Sequence, residues 1–432
     1  MSNLAQQLRV LRHRDFRYLW LAQSSSVIGD CIVIVALALF VIDLTGSATD
    51  LGLVFAAASL PLVAFLLLGG VWADRLPRHR VMIGTDLVRF MLHALLAVLI
   101  FTHSTQIWQL IVIEALFGTA EAFFRPAANG LLPQTVPESE IQQANGLSSL
   151  SNNIGEFAGP ALATALVLGL GAGWAFALDA VTFLISAALL TRVRPRRRAV
   201  SAAAETSPEQ VTVRAEMREG FREVRSRAWV WATLAAFCVA LFAALAPWFV
   251  LGPIVAREQY GHIGVYGVVS AAVGIGTIIG SLLGIGWRPR FPMRAAMLAI
   301  LLWPCAAILY AAGVTLVIVI PTMLVGGAGI ALFDVWWMTA LAERIPADKL
   351  SRVSSYDWMV SLALLPLGYV LAGPLAQALG AVEVLIGGSA IACLALAAGL
   401  LPRETRMLER LAAQASGDGA ATEPLPGLAH RS

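Results

Sequence analysis

The chain has 432 residues, of which 58% are hydrophobic and 13% charged, with a formal net charge of +3. That balance is far from a soluble domain's, and so small a charge points away from a nucleic-acid partner. The four cysteines, Cys31, Cys238, Cys305 and Cys393, all fall inside apolar runs. They read as small buried apolar residues, leaving neither a disulfide framework nor a metal site.

Hydropathy sets the predicted elements. Runs of roughly twenty apolar residues recur along the chain, each long enough to cross about 30 Å of hydrocarbon as a helix. In chain order the predicted spans cover 18–44, 51–73, 81–101, 107–132, 141–168 and 174–190, then 230–251, 265–286, 295–312, 314–341, 353–378 and 382–401. The first run is too long for a cleavable signal and lacks a small-residue cleavage site, so it is expected to remain as a span. Positive residues give the orientation. Arg9, Arg12, Arg14 and Arg17 precede the first predicted span, and Arg75, Arg78 and Arg80 follow the second. Arg288, Arg290 and Arg294 follow the eighth, and Arg344, Lys349 and Arg352 follow the tenth. The alternate loops carry only Arg257. The positive-inside rule then places both termini in the cytoplasm and requires an even number of spans, in agreement with twelve.

A polar break divides the predicted spans into two groups of six. It opens with Arg192, Arg194, Arg196, Arg197 and Arg198, and continues into 211–225, an amphipathic segment with alternating Arg and Glu. Such a segment reads as a solvated linker or as a helix lying on anionic headgroups. The expected organisation is an N-terminal half over 1–191, a cytoplasmic basic linker with an amphipathic helix over 192–227, a C-terminal half over 228–402 and a cytoplasmic tail over 403–432, disordered beyond Leu411. A weak repeat joins the halves: Val136 and Pro137 open the fifth span as Ile345 and Pro346 open the eleventh, and Gly159-Pro160 recurs as Gly373-Pro374. Duplication of a six-helix unit predicts an all-α membrane protein of two pseudo-symmetric halves, with a site between them near the midplane.

Ionisable residues inside hydrocarbon are costly, which makes each a functional candidate. Asp30 is near the middle of the first span, Glu114, Glu121 and Arg125 lie in the fourth, Glu156 is in the fifth and Asp334 is in the tenth. Glu121 and Arg125 are four apart and can pair on one helix face. Glu114 and Asp30 have no partner within their own helices. Desolvation penalises a carboxylate's charged form, and Asp30 is the first candidate for proton coupling. Asp179, Asp357 and His93 read as structural. If Pro137 aligns with Pro346, Arg125 falls opposite Asp334 across the two-fold, a charge pair suited to a gate between halves. Trp336 and Trp337 read as part of an interfacial aromatic belt.

The most informative loop lies between the second and third spans. Gly70, Asp74, Arg75, Arg78 and Arg80 surround a connection of a few residues, so one acid and three arginines gather at one membrane face. Asp86 and Arg89, one turn apart, can extend that network, and Asp74 can latch against the start of the eleventh helix near Lys349. The loop resembles the G-x-x-x-D-R-x-G-R-R signature of the major facilitator superfamily, with Pro77 in place of the second glycine. The likeness covers the whole chain. Residues 16–23 with Gly29-Asp30, Phe124-Arg125-Pro126-Ala127 with Leu132-Pro133, and 177–186 resemble the enterobactin-exporter and macrolide-efflux-like branch of drug/proton antiporters. Gly155, Gly159 and Pro160 resemble the antiporter signature G-x-x-x-G-P-x-x-G-G, with Ala163 and Thr164 replacing its last glycines. The fourth-span signature R-x-x-Q-G is absent, Glu114 standing where its arginine would be. Glycines spaced by four allow close helix approach in any case.

The resemblance implies a secondary active transporter that exports amphipathic small molecules of drug, macrolide or siderophore type by proton antiport. Its partners would be the substrate, protons and the lipid bilayer of the bacterial cytoplasmic membrane, with no cofactor, metal or nucleic acid, as a monomer. An importer or facilitator of a small metabolite is a second reading, and a non-transporting sensor or assembly factor on the same fold a third. No nucleophile–base pair, metal-ligand spacing or phosphate loop points to an enzyme.

Overall fold

The computed structural model describes residues 9–195 except 138 and 139, together with 222 and 224–409 except 288, 346–352, 354–356, 358, 359 and 362. The amphipathic segment expected over 211–225 lies largely outside the described residues, as do the tail beyond 409 and Lys349.

The N-terminal helices are α1 (Arg14–Thr45), α2 (Ala48–Arg75), α3 (Arg78–Phe101), α4 (Ile107–Leu131), α5 (Ile141–Leu170) and α6 (Ala172–Leu190). Those of the C-terminal half are α7 (Ala228–Tyr260), α8 (Gly264–Gly286), α9 (Pro292–Ala311), α10 (Leu316–Arg344), α11 (Leu365–Leu379) and α12 (Ala381–Ala398). Among the described residues ten are long and apolar enough to cross a membrane, and α11 is a shorter apolar helix; about ten to twelve apolar helices stand beside the expected twelve spans.

Local chemistry sets the breaks. Gly46 ends α1 at φ 65°, a left-handed conformation that favours glycine, and the Ser47 side chain caps α2 by accepting from the Asp50 N–H at 3.2 Å. Pro77 precedes α3, where its missing N–H has no consequence. Two boundaries differ from hydropathy. Asp74 lies in the last turn of α2, so the connection it was assigned to is only Leu76–Pro77. The seventh helix continues past Leu251 to Tyr260, where Gly261 at φ 74° stops it. It contains a π turn at Leu241–Leu245.

Helix contacts in the first half recur in the second. The pairs α1–α5, α1–α6, α2–α4, α3–α4 and α3–α6 have counterparts in α7–α11, α7–α12, α8–α10, α9–α10 and α9–α12. In both halves glycine brings backbones together: a Cβ on Gly118 would sit 1.8 Å from the Ala58 carbonyl oxygen, and one on Gly327 2.0 Å from that of Val273. The halves join through α2 on α11 and α5 on α8. A Cβ on Gly52 would sit 2.2 Å from the Tyr369 carbonyl oxygen, and one on Gly373 2.4 Å from the Thr49 Cα. The Gln377 amide donates to Thr49 Oγ1 at 3.0 Å, Phe55 packs on Tyr369 at 5.3 Å, and Gly267 faces Thr164. These contacts gather toward the bundle end opposite the Arg75–Arg80 connection. Large apolar side chains such as Leu60, Leu282, Val317 and Leu394 are exposed around the outside, the surface that hydrocarbon would cover.

Two expectations are corrected. Trp336 and Trp337 are only 4% and 3% exposed, too buried for an interfacial belt. Their indole N–H groups donate inward, to the Trp287 carbonyl and Asp357 Oδ2, each at 3.1 Å. The cysteines are not uniformly buried. Cys305 is exposed, and its Sγ lies 3.7 Å from that of Cys393, joining α9 to α12.

Candidate functional site

Three helices of the first half each turn one polar-aromatic face toward the others. On α3 the face is Asp86, Arg89 and His93; on α4 it is Glu114, Phe117 and Glu121; on α6 it is Asp179, Thr182, Phe183 and Ser186. Spacings of three, four and seven place such residues in one row on an α-helix. Their meeting buries a cluster of ionisable groups. Asp86 and Asp179 are 0% exposed, Arg89 and His93 1%, and Glu114 4%.

The cluster has two centres. In the first, Arg89 Nη2 donates to Asp86 Oδ1 at 2.5 Å, and the Ser186 hydroxyl donates to Asp86 Oδ2 at 2.6 Å. The guanidinium lies over the rings of Phe124 at 4.0 Å and Phe183 at 4.5 Å. Those ring faces supply attraction that lost water would otherwise give. A buried ion pair survives only with such additional partners.

In the second, His93 Nδ1 lies 2.5 Å from Asp179 Oδ2. The Thr182 hydroxyl reaches Asp179 Oδ1 at 3.3 Å. The imidazole is stacked on Phe117, with centroids 4.3 Å apart and planes 4° from parallel, and meets Phe176 and Phe183 edge-on. Its Nε2 faces Glu114 Oε1 across 3.8 Å. Among the described residues neither of those two atoms has a hydrogen-bond partner, nor does Arg89 Nε. Buried polar atoms without partners are uncommon and costly, so the cluster is an incompletely satisfied network held in apolar surroundings.

Helix α1 closes one side. A Cβ on Gly29 would sit 2.0 Å from Asp179 Oδ1, so this position admits only glycine without displacement. Asp30, next along, is half-buried and makes no hydrogen bond or ion pair among the described residues. Its electrostatic neighbours are Asp179, Arg89, Glu121 and His93.

Residues 19–361 match the pattern of the Major Facilitator Superfamily. The chain belongs to this superfamily. It is similar to macrolide efflux protein A of Streptococcus pyogenes, 23% identical over 400 residues that cover 91% of this chain and 97% of that protein. It is also 29% identical over 222 residues to the uncharacterized MFS-type transporter YfiS of Bacillus subtilis (strain 168), covering 51% of this chain and 52% of that one. Among solved structures the nucleoside transporter NupG superposes with a TM-score of 0.69 at 14% identity, covering 90% of this chain and 99% of that one. A bacterial homolog of the human lysosomal transporter Spinster, in an inward-facing and unoccupied conformation, gives 0.67 at 18%, covering 92% and 98%. The protein is therefore a multi-pass membrane transporter of the major facilitator fold.

In this transporter the residues singled out from sequence fall in four places. Asp86, Arg89, Glu114 and Asp30 belong to or border the buried cluster. Asp86 and Arg89 thus serve each other and Ser186 in the interior. Glu114 faces His93 on a neighbouring helix. Glu121 and Arg125 pair along α4, with Nε and Nη2 donating to Glu121 Oε1 at 2.8 and 2.6 Å, in a half-exposed position. Asp334 is exposed on α10. At the arginine-rich end, Arg78 Nη1 donates to the Gly130 carbonyl at 2.5 Å, tying the α2–α3 connection to the end of α4, while Arg75 and Arg80 are exposed. Gly70 and Asp74 are in the last turns of α2, and the Asp74 side chain lies outside the described residues. Gly155 and Gly159 lie against Val27 and Cys31 of α1, with Pro160 following inside α5; the Glu156 side chain is outside the described residues.

Sequence reasoning assigned His93 and Asp179 to structural roles and did not consider Ser186. The available signal was the repeated spacing of seven in Asp86/His93 and Asp179/Ser186, which marks one face of each helix. The same end carries a second polar assembly outside the spans. Arg12 and His13 both reach Glu140, at 2.5 and 2.9 Å. Partial desolvation works to raise the Glu140 carboxyl, but the hydrogen bonds from Arg12 and His13 outweigh it and hold the group below its ordinary range.

Proposed function

We propose that this transporter exports amphipathic small molecules of the macrolide class from the cytoplasm, exchanging them for inward-moving protons. The observation that carries the reading is the cluster of Asp86, Arg89, His93, Glu114 and Asp179 inside one half, bordered by Asp30, which is unpaired among the described residues. A scaffold gains nothing from ionisable groups in hydrocarbon, whereas a proton pathway requires them. Likeness to macrolide efflux protein A supports the direction and the substrate class.

In this reading the arginine-rich end faces the cytoplasm of a bacterial inner membrane, with both termini and the basic linker 192–227 on that side. The halves 1–191 and 228–402 rock about a central site, and the described state, joined at the opposite end, is open toward the cytoplasm. Asp30 exchanges the coupling proton, Glu121 and Arg125 border the substrate path, and the Asp74–Arg80 connection closes against the second half in the opposite state.

The test is transport in proteoliposomes with radiolabelled erythromycin and an imposed pH gradient. Gradient-driven accumulation is expected in the wild type, with a loss of tenfold or more in Asp30→Asn at unchanged thermal stability. Accumulation that ignores the gradient would refute antiport. Failure with erythromycin but success with a catecholate siderophore would move the substrate class. Full gradient-driven activity in Asp30→Asn would remove that residue from the mechanism.

A further inference from the structure

His93 sits between two carboxylates and is bonded to only one of them. Its Nδ1 is 2.5 Å from Asp179, while its Nε2 and Glu114 Oε1 face each other across 3.8 Å, both buried and, among the described residues, both without a hydrogen-bond partner. A hydrogen bond between them needs about 2.7–3.2 Å, so closure by roughly 1 Å completes the chain Glu114–His93–Asp179. The ring's surroundings permit that motion. Parallel stacking on Phe117 lets the imidazole slide in its own plane while keeping contact with the phenyl face.

We propose that His93 is a second proton carrier of the N-terminal half, beside Asp30, loaded from Glu114 and oriented by Asp179. With Nδ1 donating to the Asp179 carboxylate, the neutral ring presents the Nε2 lone pair to Glu114. This is the arrangement in which a carboxylate sets the tautomer of a histidine and stabilises its cation. On closure the Glu114 Oε1–H bond breaks and an Nε2–H bond forms. Glu114 becomes a carboxylate and His93 an imidazolium held between two anions; the reverse transfer unloads it. One proton moves, and no other bond changes. Asp179 acts as a positioning residue through the ring.

The charges around the ring are those of every helix packed on it. Arg89 and Asp86 lie on α3, Glu114 and Glu121 on α4, Asp179 on α6 and Asp30 on α1. Arg89 is paired with Asp86, and the other carboxylates lie on α1, α4 and α6. Among the described residues His93 has one unbonded ring nitrogen, with the Glu114 carboxyl aimed at it.

This inference rests on the antiport reading, and the experiment separates the two. Wild type, His93→Gln and Asp179→Asn are reconstituted in proteoliposomes with erythromycin. Gradient-driven accumulation and substrate-for-substrate exchange at equal pH are measured side by side. In parallel, the His93 imidazole of the wild type and of Asp179→Asn is followed by nitrogen NMR in nanodiscs from pH 5 to 9. The expected result is that His93→Gln loses gradient-driven accumulation tenfold or more while exchange stays within about twofold. The wild-type ring should titrate within the window, and Asp179→Asn should shift both its titration and its tautomer. Wild-type accumulation indifferent to the gradient defeats antiport, and the histidine's role with it. Gradient-driven wild type with full drive in His93→Gln defeats the histidine alone. If His93→Gln loses exchange as well, the spectra decide: a ring whose protonation is constant from pH 5 to 9 overturns the proposal, and one that titrates sustains it.

Discussion

Between α3, α4 and α6 the first half buries Asp86, Arg89, His93, Glu114 and Asp179, while between α7, α8 and α9 the second half buries Trp248, Tyr266, Trp303 and Tyr310. The aromatic group is tied off: the Tyr310 hydroxyl donates to the Gly252 carbonyl at 2.6 Å, and the Tyr260 hydroxyl reaches the Tyr310 and Val314 carbonyls at 2.9 Å. Trp248 meets three other rings with centroids 5.1–5.9 Å apart. In the ionisable group Arg89 Nε, His93 Nε2 and Glu114 Oε1 have no hydrogen-bond partners among the described residues. Satisfied polar groups rigidify a core, and unsatisfied ones leave it a second arrangement to adopt. One duplicated architecture has thereby been filled once with incompletely paired ionisable groups and once with a tied-off aromatic stack.

The strongest way to break that contrast is to remove Arg89. Arg89→Ala leaves Asp86 buried with only Ser186, and should destabilise the protein by about 3–5 kcal/mol. Thermal unfolding in detergent should show a large drop, and Arg89→Leu combined with Asp86→Leu should recover most of it. A single variant as stable as the wild type would mean that the pair is not dry. On the other side, Tyr310→Phe removes one buried hydrogen bond and should cost about 1 kcal/mol. Transport per folded molecule should be unchanged, and a selective loss of gradient-driven activity would place chemistry in the second half too.

A milder probe is oxidation of Cys305 and Cys393, whose sulfurs are 3.7 Å apart. A bond formed there by mild oxidant staples α9 to α12 within one half. Erythromycin transport should continue if that half moves as a unit, and arrest of transport would show that α9 and α12 shift against each other. The smallest effect is expected at the Arg12–His13–Glu140 clamp. Because the folded-state Glu140 carboxyl is held below its ordinary range, its contribution is present above the ordinary carboxylate value and fades as pH falls through the lowered one. Protection of the Arg9–Arg12 amides relative to their intrinsic exchange rates should fall only in acid, and protection unchanged through that window would exclude the clamp.

The helices were legible because a bilayer demands long apolar runs. The pairing of Glu121 with Arg125 was legible from spacing alone. Contact between His93 and Asp179 was not, since 86 residues separate them and only helix packing joins α3 to α6. Composition likewise could not place Trp336 and Trp337, because an aromatic near a helix end suits a lipid interface and a buried stack equally well. The bond from Trp337 to Asp357 decides it.

Where Gly52 meets Tyr369 and Gly373 meets Thr49, main chain lies on main chain with few side-chain atoms between. Such a joint behaves as a plain bearing. Beside the Phe55–Tyr369 and Gln377–Thr49 contacts, the glycines let the two backbones touch directly, and a bulky side chain at Gly52 or Gly373 would turn the bearing into a wedge. Leverage follows from its position at one end of α2. With 28 residues in that helix and a rise of about 1.5 Å each, the far end is roughly 40 Å away, and a tilt of about 10° at the joint swings it by roughly 7 Å. If the halves rock as proposed, angular play that barely disturbs the bearing shifts the arginine-rich end by that distance.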